Sequence, residues 1–373
     1  MKSVRSHSTA VNAETGEIDR RSSTARRFPA LLLCALIVAA AVFAQEKPRM
    51  AFEEDVHAFA VSQEGKIVCA VPHLKRIKKI IIERDEIWVV SGNGRRHIVE
   101  GDKFMPVPPP VTYVVDSLAW SPDGRRIAMN MNVQALSTDD PSATSSGKQV
   151  ALLGEDGGEI KVAGSKTRFI EDAWEATWLA DNATVVYLTG VTAFKIMRVR
   201  PSDGKSTALF GGHPFESVTW DAKRNQAFAI GKGLSGSGRS ALLQLDLMNE
   251  TIREIARVED IRGKLTVSPS GKRVGYFENG DTIAVVDLAN PQKIMRVRAG
   301  IGRFEFGRDE QRVLLKRGAE DKSGDLVWVG IQDGNFRPIL HDLLVHDFRI
   351  APDGESVIIT DPGKRILKVY PLQ

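Results

Sequence analysis

From residue 50 onward, apolar and polar positions alternate in short runs, and tight turns interrupt the runs. The clearest unit is Ser117-Leu118-Ala119-Trp120, then Ser121-Pro122-Asp123-Gly124, then Arg125-Arg126-Ile127-Ala128-Met129. A period of two predicts a half-buried strand, and the middle tetrapeptide predicts a turn. Pro presets φ at the second turn position, and Gly supplies the positive φ that re-enters a strand. Degraded copies recur. Ser268-Pro269-Ser270-Gly271 leads into Arg273-Val274-Gly275-Tyr276-Phe277, and Ala351-Pro352-Asp353-Gly354 leads into Ser356-Val357-Ile358-Ile359. Without the Pro, further copies start at Ala58, Ala176, Ser217 and Arg303, which makes seven strand-turn-strand copies. Their spacing is roughly 40 to 60 residues and brackets the period of a four-stranded propeller blade.

A second hairpin follows most copies. Ile87-Trp88-Val89-Val90 turns at Gly92-Asn93-Gly94, Val150-Ala151-Leu152-Leu153 at Asp156-Gly157-Gly158, and Leu326-Val327-Trp328-Val329 at Asp333-Gly334. Asn-Gly and Asp-Gly between alternating apolar runs are strong hairpin signals. Four strands in each of seven repeats predict an all-β, seven-bladed β-propeller over residues 45–373. The last repeat is one strand short. Met50-Ala51-Phe52 is expected to supply that strand and close the ring.

The segment before residue 45 reads as an address. Arg20, Arg21, Arg26 and Arg27 precede an apolar run from Pro29 to Ala44. A run of about 16 residues fits a signal-peptide core and is marginal for a membrane span. Residues 1–44 are therefore expected to be a signal peptide or an N-terminal membrane anchor, with the propeller periplasmic or otherwise extracytoplasmic. The formal net charge of +4 is spread among interspersed acids and bases. No nucleic-acid-reading motif accompanies it, so nucleic acid is not an expected partner. Cys34 lies in the address segment, and Cys69 lies in an apolar strand where a thiol is expected to be inert core.

The residues Ser117-Leu118-Ala119-Trp120-Ser121-Pro122-Asp123-Gly124-Arg125-Arg126-Ile127-Ala128 closely resemble the TolB-type, WD40-like propeller repeat of bacterial envelope proteins. The resemblance spans roughly residues 50 to 373 and is strongest in the second repeat. It implies an exported propeller that binds other proteins. TolB itself carries an α/β domain ahead of its propeller. Here only a few residues separate Ala44 from the first repeat, so a stand-alone propeller is expected.

Catalytic signatures are scarce. Gly231-Lys232-Gly233-Leu234-Ser235-Gly236 has the spacing of a dinucleotide fingerprint but lacks the following helix. Gly233-Leu234-Ser235-Gly236-Ser237 lacks the last Gly of a nucleophile elbow. No catalytic residue is assigned. Six side chains near the starts of the innermost strands are candidates for one channel mouth: His57, Asp116, Glu175, Glu216, His346 and Asp347. Converging carboxylates and imidazoles suit a divalent cation or a polar ligand. Strand-end capping explains the same residues without one. Loops between the second and third strands of each repeat emerge on one face, and insertions there often mark the binding face of repeat proteins. The first carries the basic run Lys75, Arg76, Lys78 and Lys79, which suits an acidic partner or anionic surface. The expected function is a monomeric, non-enzymatic scaffold in the cell envelope that docks a protein or an extended peptide. The alternative is a lactonase-like propeller hydrolase or lyase with a cation in the channel. An acidic, cation-holding mouth would distinguish the second from the first.

Overall fold

The computed structural model describes residues 49–77, 79–92, 94–105, 111–136, 144–234, 240–318, 323–343, 345, 347–361 and 366–372. The expected address at 1–44 lies outside them, as do His346 and Lys78. The chain from Lys47 to Gln373 forms one compact unit. Strand β1 (Arg49–Phe52) is followed by β2 (Ala58–Val61), β3 (Ile67–Ile77), β4 (Ile80–Ser91) and β5 (Gly94–Val99). A one-turn helix α1 (Gly101–Phe104) leads to β6 (Val111–Trp120), β7 (Arg126–Leu136), β8 (Thr144–Gly154) and β9 (Ile170–Glu171). Then come β10 (Trp174–Trp178), β11 (Val185–Thr189), β12 (Lys195–Val199) and β13 (Ser206–Ala208). The next group is β14 (Ser217–Asp221), β15 (Gln226–Lys232), β16 (Ser240–Asp246) and β17 (Thr251–Arg257). It is followed by β18 (Ile261–Val267), β19 (Arg273–Glu278), β20 (Thr282–Asp287) and β21 (Ile294–Arg298). Strands β22 (Gly302–Phe306), β23 (Arg312–Arg317), β24 (Gly324–Gly330), β25 (Phe336–Leu343), β26 (Phe348–Ile350), β27 (Ser356–Asp361) and β28 (Ile366–Pro371) complete the chain.

The fold is an all-β propeller with five four-stranded blades, not the seven expected. Strands β10–β13, β14–β17, β18–β21 and β22–β25 make four of them. The fifth has the order β1-β28-β27-β26. In it Arg49 pairs with Val369 and Met50 with Lys368, so the first strand closes on the last as expected. The remaining eight strands form a single sheet, in the order β2-β3-β4-β6-β7-β8-β9 with β5 on β4. The first two repeats merge because β4 and β6 are too long to stay apart. The first half of β4 runs past the end of β5, and Arg84 there forms a parallel bridge with Tyr113 of β6.

The turn chemistry explains the hairpins. Gly124, Gly271 and Gly354 hold φ of +65, +69 and +74°, which disfavour any side chain. The turns are also tied to their neighbours around the rim. Gln63 donates to the Pro122 carbonyl, the Asp123 amide to Asn182, the Ala180 amide to Asn225, and Arg224 to the Pro269 carbonyl. Ser270 donates to Glu310, and Arg308 to the Asp353 carbonyl. Buried apolar side chains fill the gaps between sheets. The tryptophans before three of the turns pack there against the preceding repeat. Trp178 is 1 % exposed with Arg126 over its ring. Trp120 and Trp220 donate their indole N–H to the carbonyls of Ala60 and Glu175. Trp220 is only half-buried.

One predicted hairpin differs. The segment Glu159 to Val162 makes only an isolated bridge, Leu153 to Glu159, beyond the Asp156-Gly157-Gly158 turn. The fourth strand of that repeat is β9, whose Ile170 and Glu171 pair with Val150 and Gln149. Glu159-Ile160-Lys161-Val162 alternates as a strand should, yet beyond the Glu159 bridge only the Ile160 amide bonds back, to the Leu152 carbonyl, and the later segment takes the edge.

Candidate functional site

Strand direction reverses at each turn, so the starts of the innermost strands and the β3–β4 hairpin lie at one end of the propeller. The Pro-Asp-Gly turns lie at the other. Strands β3 and β4 pair in continuous register from Ile67↔Val90 to Ile77↔Ile80, which carries their outer halves past the end of β5. Directly paired residues share a face, as do residues two apart along a strand. Pro72↔Asp85, Leu74↔Glu83 and Arg76↔Ile81 therefore share one face of the hairpin. Arg84 is on the other.

Arg84 explains why the hairpin stands. Its guanidinium is fully buried, donating from Nε to the Val111 carbonyl at 2.9 Å and from Nη1 to Asp102 at 3.2 Å. Asp102 sits in α1, whose Gly101 packs so closely on Arg84 that a Cβ there would lie 2.9 Å from the Arg84 Cβ and carbonyl oxygen. The same carboxylate accepts from Lys75, and that bond holds it below the usual carboxylate range. One member of the predicted basic run is thus compensated within the protein. Arg76 and Lys79 are exposed.

At the base of the hairpin, on the opposite side of β4 from Arg84, His57, Glu83 and Asp85 converge. Each offers one ligand atom, and the three atoms lie within 4.8 Å of one another. His57 Nε2 is 3.6 Å from Glu83 Oε1, and His57 Nδ1 is 3.5 Å from Asp85 Oδ1. Asp85 is fully buried. Its Oδ2 accepts the Val115 amide at 2.6 Å, and its backbone carbonyl accepts the Tyr113 hydroxyl at 2.6 Å. Its Oδ1 has no hydrogen-bond partner.

The other predicted channel residues take separate partners. Asp116 pairs with Lys148 of its own repeat. Glu175 accepts from Lys264 at 2.6 Å, across from β10 to β18. Asp347 accepts from Arg303 and from Arg349 Nη1. Glu216 is exposed, and its amide donates to the Ile230 carbonyl. Of the predicted set, His57 alone among the described residues joins a mixed His and carboxylate cluster. Its partners Glu83 and Asp85 were not foreseen. Their signal is the spacing Glu-x-Asp on a strand, which places two carboxylates on one face, but only the tertiary register brings them to His57.

A second concavity opens at the turn end of the channel. It is a funnel of about 670 Å³ lined by Trp120, Trp220, Arg224, Glu305, Arg308 and Arg349, among others. Glu305 accepts from Arg349 at 3.1 Å and from the Ile350 amide at 2.9 Å. Burial pushes its carboxyl up to about 7, against the opposing pull of Arg303 and the Ile350 amide, with the Asp347 carboxylate adding to the rise. Cys69 is buried in the core, and burial pushes its thiol up, out of the reactive range.

No protein-family model matches the chain, and no curated protein matches it. The expected resemblance to TolB-type repeats thus gains no support from either comparison.

Proposed function

We propose that the protein is an exported, TolB-like propeller scaffold, which docks an extracytoplasmic protein or extended peptide through the β3–β4 hairpin. The observation that carries this reading is the pair Leu74 and Ile81, each 65 % exposed on the same face of a hairpin that outgrows its blade. Adjacent exposed apolar side chains ringed by polar ones mark interaction sites more often than chance surface. Arg76 and Lys79 beside them favour an acidic partner and speed its encounter. Export is supported by the cation-flanked apolar run of residues 29–44, read as a signal peptide or anchor.

A photo-crosslinker placed at Leu74 tests the reading, with one at the exposed Glu355 on the opposite end as control. The expected result is a discrete adduct from position 74 that Ile81→Ser removes, and none from position 355. Adducts from position 355 alone, or from neither position in the native envelope, would rule the hairpin out.

A further inference from the structure

The cluster at the hairpin base shares a face with that docking surface, where Glu83 pairs directly with Leu74, but its chemistry is of another kind. Asp85 Oδ1 is a carboxylate oxygen with no access to water and no hydrogen-bond donor. Burying such an oxygen unpaired is costly, and native proteins supply a partner for it. Among the described residues, no lysine or arginine forms an ion pair with Asp85 or Glu83, and the adjacent Arg84 is committed to Val111 and Asp102 on the other face. The polar group facing both carboxylates is His57.

We infer that His57, Glu83 and Asp85 bind a divalent transition cation of the zinc type. Two carboxylates match its charge, and Asp85 Oδ1 gains the partner it lacks. The imidazole separates this site from one for calcium or magnesium, which take oxygen ligands. Ligand atoms around a tetrahedral zinc stand about 3.3–3.6 Å apart, as its bond lengths of about 2.0–2.2 Å require. Here Glu83 Oε1 stands 3.6 Å from Nε2 of His57 and Asp85 Oδ1 stands 3.5 Å from Nδ1. One ligand atom from each residue lies within 4.8 Å of the other two, so the side chains draw in around the ion. One nitrogen of His57 binds the cation with Glu83 and Asp85. Glu83 is half-buried, so the fourth position is left to water or to a group from outside. The Val115 amide on Asp85 Oδ2 and the main-chain tie from Tyr113 hold the aspartate in place, as outer-shell hydrogen bonds do for metal ligands. His57, at the start of β2, and Glu83, in β4, are linked through β3, so the ion would clamp the projecting hairpin to the innermost strand.

The test is calorimetric titration of the metal-stripped full chain with Zn²⁺ alone and with Ca²⁺ alone. One equivalent of Zn²⁺ should bind in preference to Ca²⁺, and Zn²⁺ should raise the melting temperature. His57→Gln and Glu83→Gln should each weaken this binding tenfold or more while keeping the native circular dichroism; even outer-shell changes commonly cost 10–100-fold. Asp85→Asn also removes a buried carboxylate, so the two partly exposed ligands decide the matter. Unaltered Zn²⁺ affinity in both variants, no binding by the parent, or preference for Ca²⁺ would overturn the assignment.

Discussion

The merged eight-stranded sheet and the five separate blades use the same strand-turn-strand unit and differ in where the strands stop. Blade strands such as β11 and β15 run for 5 and 7 residues and end where the core ends. Strands β3, β4, β7 and β8 run for 11 or 12. The inner halves are alike in the two regions, with consecutive buried residues such as Ile67 to Val71 and Val185 to Leu188. In the outer halves Ile82, Arg84, Asp85 and Met131 are buried, while Leu74 and Ile81 stand in water. The outer halves stand because Arg84, Asp102 and Tyr113 knit β4 to α1 and β6, and they leave Leu74, Ile81 and the His57 cluster without a core role. The repeat supplies the ring, and the docking face proposed above lies where the strands outgrow it.

If the packing between blades carries the stability, the largest losses come from the side chains buried there. Trp178→Ala removes a large side chain packed between the merged sheet and the β10–β13 blade. It should cost roughly 3–5 kcal/mol in chemical denaturation. Trp220→Ala, at the same register but half-buried, should cost clearly less. Equal losses at the two positions would mean that register alone, and not burial, sets the effect.

The turn-end funnel makes a pH-dependent prediction. The Glu305 carboxyl titrates near 7 in the folded protein, above the ordinary 4.5. The folded state therefore binds that proton more tightly than the unfolded chain does. Its stabilising contribution is complete below about pH 4.5 and is lost as pH rises through about 7, a difference of at most about 3 kcal/mol. Glu305→Gln should flatten that part of the stability profile. A parent and variant with parallel profiles between pH 4.5 and 7 would show that Arg349 and Arg303 outweigh burial there.

Arg84→Ala should act on the merged sheet alone. Losing the bonds to Val111 and Asp102 should cost about 2 kcal/mol, the range for hydrogen bonds to charged groups. Amide exchange should quicken in β4 and β6 and stay unchanged in β14–β17. Uniform quickening would show that the extension is part of the ring's cooperative unit.

The ring was legible because its turns are chemical. Pro122, Asp123 and Gly124 announce a hairpin, and the Asn and Gly turns announce its successor. Even the closing strand at Met50 to Phe52 follows from the last repeat's missing strand. The blade count was not legible. Merging depends on one parallel bridge between Arg84 and Tyr113, and no local signal in β4 or β6 records it. The site was half legible. His57 stands out as an imidazole at a strand start, but Glu83 and Asp85 look like ordinary exposed strand acids until the register is known. The partner of Lys75 was not legible for the same reason, since Asp102 lies 27 residues away in sequence.

The smallest effect on stability sharpens the comparison most. Leu74→Ser and Ile81→Ser change side chains that are mostly in water, so each should alter folding free energy by no more than about 0.5 kcal/mol. Together they remove the apolar anchors proposed for docking. The double variant should therefore keep the parent's denaturation midpoint and lose the crosslinked partner. Neutralising Arg76 and Lys79 with Gln should instead leave the complex formed but slow its association at low salt, an effect that screening removes at high salt. A double variant that unfolds by several kcal/mol would place Leu74 and Ile81 in a core, and the hairpin would then be one more blade element. A stable double variant that binds its partner as the parent does would move the docking surface to the turn-end funnel.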